Sequence, residues 1–214
     1  MGEIARVLLV AGAPVEGAPG CEETPIVTAA SYNEAGVARA LAEAGADLDG
    51  RGHAAPGGTA PAHAVYFGNQ AVIDVLVRAG AVARTLAEAA GAGDLTGWPL
   101  EGRGTGELAW ALRGAALCEH LRVVDQLLAA GANIHAETEG GPALQWAAWA
   151  GKPAAVRHLV QHGADPKHRD REHDGTPLGW CRHRNTSLFR PSPGHDAVQA
   201  YLESLEGGRA PELT

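Results

Sequence analysis

The amino-acid sequence predicts an all-α solenoid, in which helical units of similar length stack on one another instead of folding around one globular core. The first observation is a recurring Gly-Ala pair that closes an apolar segment, with its glycine at Gly12, Gly45, Gly80, Gly131 and Gly163. Three of the four intervals are 33, 35 and 32 residues, and a period of about 33 residues is typical of stacked repeats. Composition agrees, because aromatic residues make up only 5% while 29 Gly and 13 Pro suit short helices and tight turns.

The first helix of each unit is predicted from its start signal. Thr24-Pro25 and Thr176-Pro177 open two of the units, and Pro142 opens the unit that ends at Gly163. A threonine caps free backbone N–H groups, and a proline fits the first helical turn. A pair of alanines follows within the helix, which lets neighbouring helices approach closely.

The second helix of each unit is predicted from apolar residues at intervals of three and four, as in Val72, Val75 and Leu76. It ends at the recurring glycine. We expect that glycine to adopt the left-handed conformation, which costs glycine little.

These features resemble the ankyrin repeat: Thr-Pro starts, the Ala-Ala pair, a central Gly and the Gly-Ala-Asp ends, in register over residues 5 to 205. The resemblance implies helix-turn-helix units, projecting hairpin-like fingers between them, and a concave groove lined by fingers and first helices. One domain of residues 1–214 is predicted. Its parts are a half-repeat and linker at 5–20, repeats at 21–50, 51–83, 84–106 (shortened), 107–138, 139–170 and 171–206, and a flexible tail at 207–214.

The period breaks in two places. The unit that opens at Arg84 is followed by the next at Trp110, which leaves it about seven residues short. We therefore expect its second helix to be short or irregular. The last unit carries an insertion at residues 186–194. The histidine that the family places after Thr-Pro-Leu is also absent, and its position is occupied by Val27, Ala62, Arg113, Gln145 and Gly179.

The resemblance places the binding surface on the concave side, at and just before the two residues that follow the Ala-Ala position. Six of the ten aromatic residues fall there, and exposed Trp and Tyr clusters commonly anchor partners. For Trp146 and Trp180, packing between helices is an equal alternative. The candidate partner-binding residues are Tyr32, His63, Tyr66, Phe67, Trp146, Trp149, Trp180, His183 and Arg184.

The sequence does not favour a catalytic site or a metal site. His158 and His162 are four residues apart and could share a helix face, as a zinc site requires. No cysteine or carboxylate stands at a matching spacing, so solvated histidines are the preferred interpretation. Cys118 beside His120 is interpreted as a partly exposed packing residue. We expect no catalytic residue, metal or cofactor.

Net charge and cysteine content limit the possible partners and the cellular compartment. The net charge of −8 and pI near 5.6 argue against nucleic-acid binding. Three cysteines without a motif suit a reducing compartment, and the apolar run at residues 7–13 is too short to span a membrane. The sequence predicts a cytoplasmic monomer that does not contact membranes.

Two functions remain. The favoured one is a protein–protein interaction module that holds a partner protein or peptide in the groove. The alternative is a small-molecule binder or enzyme, whose pocket would be closed by the irregular third repeat and the 186–194 insertion.

Overall fold

The computed structural model describes residues 1–50, 58–186 and 194–206, and the regular secondary structure of these residues consists almost entirely of short helices. The all-α prediction is confirmed. The helices are α1 (Gly2–Val10), α2 (Pro25–Ser31), α3 (Ala35–Glu43), α4 (Ala60–Tyr66), α5 (Gln70–Arg78), α6 (Leu86–Ala92), α7 (Thr105–Leu117), α8 (Leu121–Ala129), α9 (Ala143–Trp149), α10 (Pro153–Gln161), α11 (Pro177–Thr186) and α12 (Gly194–Glu206). They divide into two compact units, Met1–Asp94 and Leu95–Thr214. The prediction of a single domain stays a prediction.

The first unit contains α1 to α6. Its predicted start signal is confirmed only in part, because Thr24 precedes α2 but its side chain makes no capping hydrogen bond. Pro25 is the first residue of α2. The Thr59 hydroxyl caps α4 by accepting the Ala62 amide at 3.2 Å, and Thr85 caps α6 in the same way. Each capping threonine satisfies one of the backbone amides that a helix leaves unpaired at its start.

The second helices end where the glycines predict. Gly45 and Gly80 have φ of 86° and 95°, and an L-residue with a Cβ would be strained there. The amide of the alanine that follows returns to the helix, as in Ala46 N to Leu41 O at 3.0 Å. The Gly-Ala pair is therefore a helix stop, as expected.

The shortened unit is confirmed. After α6 no helix forms in residues 93–104, all of which the structure describes, before α7 begins at Thr105. Residues 187–193 of the predicted insertion and the predicted tail at 207–214 lie outside the described residues.

The second unit contains α7 to α12, packed through fully buried leucines such as Leu112, Leu127 and Leu159. A finger precedes α9, closed by a bridge between Thr138 and Gly141. Over the described part of the chain, no helix has the length and apolar character needed to cross a membrane.

Candidate functional site

The predicted aromatic residues of the first unit lie at the ends of α2 and α4. Tyr32 follows α2 and is 77% exposed. Tyr66 and Phe67 end α4, half-buried, with their rings edge to face and their centroids 5.0 Å apart. The Asn69 amide side chain ties the ends of the two helices together by donating to the carbonyl oxygens of Ala30 and Ser31.

His63 lies inside the first unit, so the partial exposure predicted from the sequence is wrong. Its side chain is fully buried, and its Nδ1 is 2.8 Å from the Ser31 hydroxyl. The alanines around it let α2 and α4 come close enough to cover the ring. Burial lowers the pKa of His63, against a smaller opposing effect of the Glu23 charge. A partner cannot reach this side chain in the described conformation.

Three tryptophans of the second unit form one cluster. Trp146 of α9 is central, with its ring edge to face against Trp149 at 5.6 Å and against Trp180 at 5.5 Å. The guanidinium of Arg113 lies 3.8 Å from the centroid of Trp146 and 4.8 Å from that of Trp110. We call Trp146, Trp149 and Trp180 the tryptophan cluster.

Members of the tryptophan cluster differ in exposure. Trp146 is 8% exposed and donates its indole N–H to the Glu139 carbonyl oxygen at 3.0 Å, so it packs between helices, as the alternative in the sequence analysis had it. Trp149 and Trp180 are half-buried. Each presents part of its ring at the surface while the rest is held by neighbouring side chains.

Trp180 is fixed by a buried carboxylate that sequence reasoning did not identify. Asp170 accepts the Trp180 indole N–H at 2.8 Å and the backbone amides of Glu172, His173 and Gly175. Burial acts to raise the pKa of Asp170, but these hydrogen bonds outweigh it, and the pKa lies below its ordinary value. The carboxylate therefore stays charged and organises the finger before α11.

Gln145 fills the position of the family's missing histidine and also ties its repeat to a finger. Its side-chain amide donates to the His168 carbonyl oxygen at 3.1 Å. Arg113, in the same position one repeat earlier, is 1% exposed and packs on the tryptophan rings instead. Gln145 thus contacts a finger through a hydrogen bond, whereas Arg113 contacts two tryptophan rings through its guanidinium.

A cleft of about 430 Å³ opens beside the half-buried tryptophans. It is lined by Trp149, His173, Gly175, Gly179, Trp180 and His183. We call it the tryptophan cleft. At its margin the Arg184 guanidinium lies 4.5 Å from the Trp149 ring centroid, and burial lowers the pKa of Arg184. The structure thus brings four predicted residues, Trp149, Trp180, His183 and Arg184, to one place.

Cys118 is 6% exposed at the end of α7, so the expectation of a partly exposed side chain is wrong. Small residues surround it on α7. Cys181 of α11 is also buried, and burial raises its thiol pKa to about 11. The raised pKa disfavours the Cys181 thiol as a nucleophile, because the thiolate is the reactive form.

Helix-turn-helix units that end at a left-handed glycine and are separated by fingers define a class of helical-repeat proteins. Residues 139–171 match the family model described as ankyrin repeat. That segment is an ankyrin repeat, and the described residues share the all-α fold of stacked helical repeats. Ankyrin repeats generally act as modules for protein–protein interaction.

Among solved structures, the chain is similar to the crystal structure of the human ASB11 ankyrin repeat domain. The two are 20% identical, with a TM-score of 0.44, over 93% of this chain and 96% of that chain. No curated protein matches this chain significantly in sequence.

Proposed function

We propose that the tryptophan cleft binds one apolar or aromatic side chain of a partner protein. The observation that carries this proposal is the pair of half-buried rings, Trp149 and Trp180, beside a cleft of about 430 Å³. Tryptophan is among the residues that contribute most to binding energy at protein interfaces. A cleft of this size accommodates a large side chain.

Rigidity of the two rings supports the proposal. The Trp180 indole is held by Asp170, and the Trp149 ring lies against Trp146 and the Arg184 guanidinium. Side chains that are already ordered lose little conformational entropy when a partner binds. The cleft is thus prepared for its ligand.

The margin of the cleft favours a hydrogen-bond acceptor or an acidic group next to the anchor side chain. His173 and His183 are exposed on the cleft wall, and Arg184 brings a positive charge. Guanidinium groups bind carboxylates strongly, and often with two parallel hydrogen bonds. A partner with an aromatic residue beside an aspartate or glutamate fits this chemistry.

A second proposed contact patch lies on the first unit. It consists of Tyr32, Tyr66 and Phe67. Tyr32 is the most exposed aromatic residue of the three. His63 and Trp146, which the sequence analysis included, are left out because their side chains are buried. Both instead support the surfaces beside them.

The test compares two tryptophans that carry a stacked arginine. The partner is first isolated with the full chain and identified, and its affinity for purified variants is then measured. Trp149→Ala is expected to weaken binding by about 30-fold or more. Trp98→Ala is the matched control, because Trp98 is also half-buried under a guanidinium, that of Arg103 at 5.7 Å, but lies outside the cleft. Equal losses in both variants would contradict the proposal.

The small-molecule alternative requires the 186–194 insertion to close the cleft, and residues 187–193 lie outside the described part of the chain. The cytoplasmic location, the monomeric state and the absence of nucleic-acid binding stay predictions.

A further inference from the structure

Two histidines and a carboxylate converge on the second helices of neighbouring repeats in the second unit. His158 and His162 lie on α10, and Asp125 lies on α8. The Asp125 Oδ1 atom is 2.6 Å from His158 Nε2 and 3.3 Å from His162 Nε2. Within the described residues, this is the group of three metal-ligating side chains whose ligand atoms all lie within 4.8 Å of one another.

The repeat itself explains why the carboxylate is there. Asp125 and His158 are 33 residues apart, so they occupy the same position in consecutive units and become neighbours when the units stack. Of the three ligands, α10 carries only the two histidines. The third ligand comes from the helix one period earlier.

One hydrogen bond determines the state of the His162 ring. Its Nδ1 atom is 2.8 Å from the carbonyl oxygen of His158, and because a carbonyl oxygen can only accept, Nδ1 must carry the proton. In the neutral ring, Nε2 then has a lone pair that faces the Asp125 carboxylate. Two acceptors at 3.3 Å repel each other unless a proton or a cation lies between them.

We propose that Asp125 Oδ1, His158 Nε2 and His162 Nε2 bind a Zn²⁺ ion, with water as the fourth ligand. Imidazole nitrogen and carboxylate oxygen are common zinc ligands, and atoms about 2.0–2.1 Å from a tetrahedral ion lie about 3.3 Å apart. The His162–Asp125 separation already has this value. The His158–Asp125 separation must widen by about 0.7 Å to match, which the half-exposed Asp125 side chain allows.

The surroundings also resemble those of known zinc sites. A ligating histidine usually donates its other ring N–H to a carbonyl oxygen or carboxylate, which fixes the ring and its tautomer. The His162 Nδ1–H already makes this contact. A bound ion would join two consecutive repeats, so it would stabilise their packing in addition to any other role.

The test uses the full chain, freed of metal with a chelator that is then removed. Calorimetric titration with Zn²⁺ is expected to give one tight site per chain, and Co²⁺ is expected to give the intense visible absorption of a tetrahedral complex. Thermal unfolding should shift to higher temperature with Zn²⁺, since a ligand that binds the folded state stabilises it.

Asp125→Asn, His158→Gln and His162→Gln are each expected to weaken Zn²⁺ binding by about 100-fold or more, given that loss of an outer-shell contact alone costs 10–100-fold. The matched control is His168→Gln. His168 also pairs with a carboxylate, Glu137 at 3.2 Å, but that pair has no third ligand among the described residues. His168→Gln should bind Zn²⁺ like the wild type.

Either of two results would overturn the proposal. One is the absence of a single tight Zn²⁺ site in the wild-type chain, which would leave the cluster as a hydrogen-bonded ion pair. The other is unchanged binding in the three ligand variants, which would place the metal elsewhere among the ten histidines.

Discussion

The indole N–H of Trp180 donates to the buried carboxylate of Asp170 at 2.8 Å. The same carboxylate holds three backbone amides of its own finger. One side chain therefore fixes both the fold of the finger and the orientation of a ring in the tryptophan cleft.

Replacing Asp170 with asparagine tests this double role. Each carboxylate oxygen of Asp170 accepts two N–H groups, whereas an asparagine presents an NH₂ group in place of one oxygen. Two N–H donors would then face the NH₂ donor of the asparagine in a buried environment. We expect Asp170→Asn to lower the free energy of unfolding by about 3 kcal/mol, measured by urea denaturation, and to alter tryptophan fluorescence.

Asp165→Asn is the control for that change. Asp165 is exposed and accepts one amide, that of Lys167, so an asparagine oxygen can replace it. Its effect should stay within about 0.5 kcal/mol. Equal destabilisation by both variants would mean that Asp170 has no special role.

Two glycines of the cleft wall give a second prediction. A Cβ at Gly175 would lie 2.5 Å from the Trp180 Nε1 atom, whereas a Cβ at Gly179 would meet only the Thr176 hydroxyl at 3.4 Å. Gly175→Ala should displace the indole and cost about 1–3 kcal/mol. Gly179→Ala, on α11, should be neutral or stabilising because alanine favours helices. Thermal unfolding measures both, and a harmless Gly175→Ala would contradict the close packing of Trp180.

The sequence predicts the helix boundaries that recur with the period. It does not predict which large side chains are buried or which contacts the fingers make. Pro25 marks the start of α2 and Gly45 the end of α3, because both depend on local backbone conformation, whereas the predicted Thr24 cap does not form. The pairing of Asp125 with His158 was also present in the period, but only as a relation between units.

Burial of large side chains is the part that the pattern does not contain. Trp146 and Trp149 are three residues apart on α9, yet Trp146 is buried and Trp149 is half-buried. Trp146 sinks because Gly140 of the adjoining finger leaves room for it: a Cβ there would lie 2.8 Å from the Trp146 Cζ2 atom. The role of Asp170 could not be predicted for a related reason, because its backbone partners lie in a finger whose sequence does not repeat with the period.

Close packing in the first unit gives a third prediction. A Cβ at Gly91 of α6 would lie 2.5 Å from both methyl carbons of Val65 on α4. Gly91→Ala should therefore destabilise the chain, and Val65→Ala should create the space that the new methyl needs. The double variant is expected to be more stable than the sum of the single effects by about 1 kcal/mol. Strict additivity, measured by urea denaturation, would show that the two residues do not touch.

His63 gives the fourth prediction, which concerns pH. Burial holds its folded-state pKa below the ordinary 6.5, so below pH 6.5 the unfolded chain takes up a proton before the folded chain does. The stability that the neutral ring contributes is fully present above pH 6.5 and is lost as the pH falls toward the lower folded-state pKa. The free energy of unfolding of the wild type should therefore fall between about pH 7 and pH 5.

His63→Gln removes this titrating group and should flatten that part of the pH dependence, because a glutamine takes up no proton in either state. Urea denaturation at a series of pH values measures both proteins. If His63→Gln kept the wild-type slope, the acid sensitivity would have to come from another group, and the buried Ser31–His63 pair would be protonated as readily as an exposed histidine.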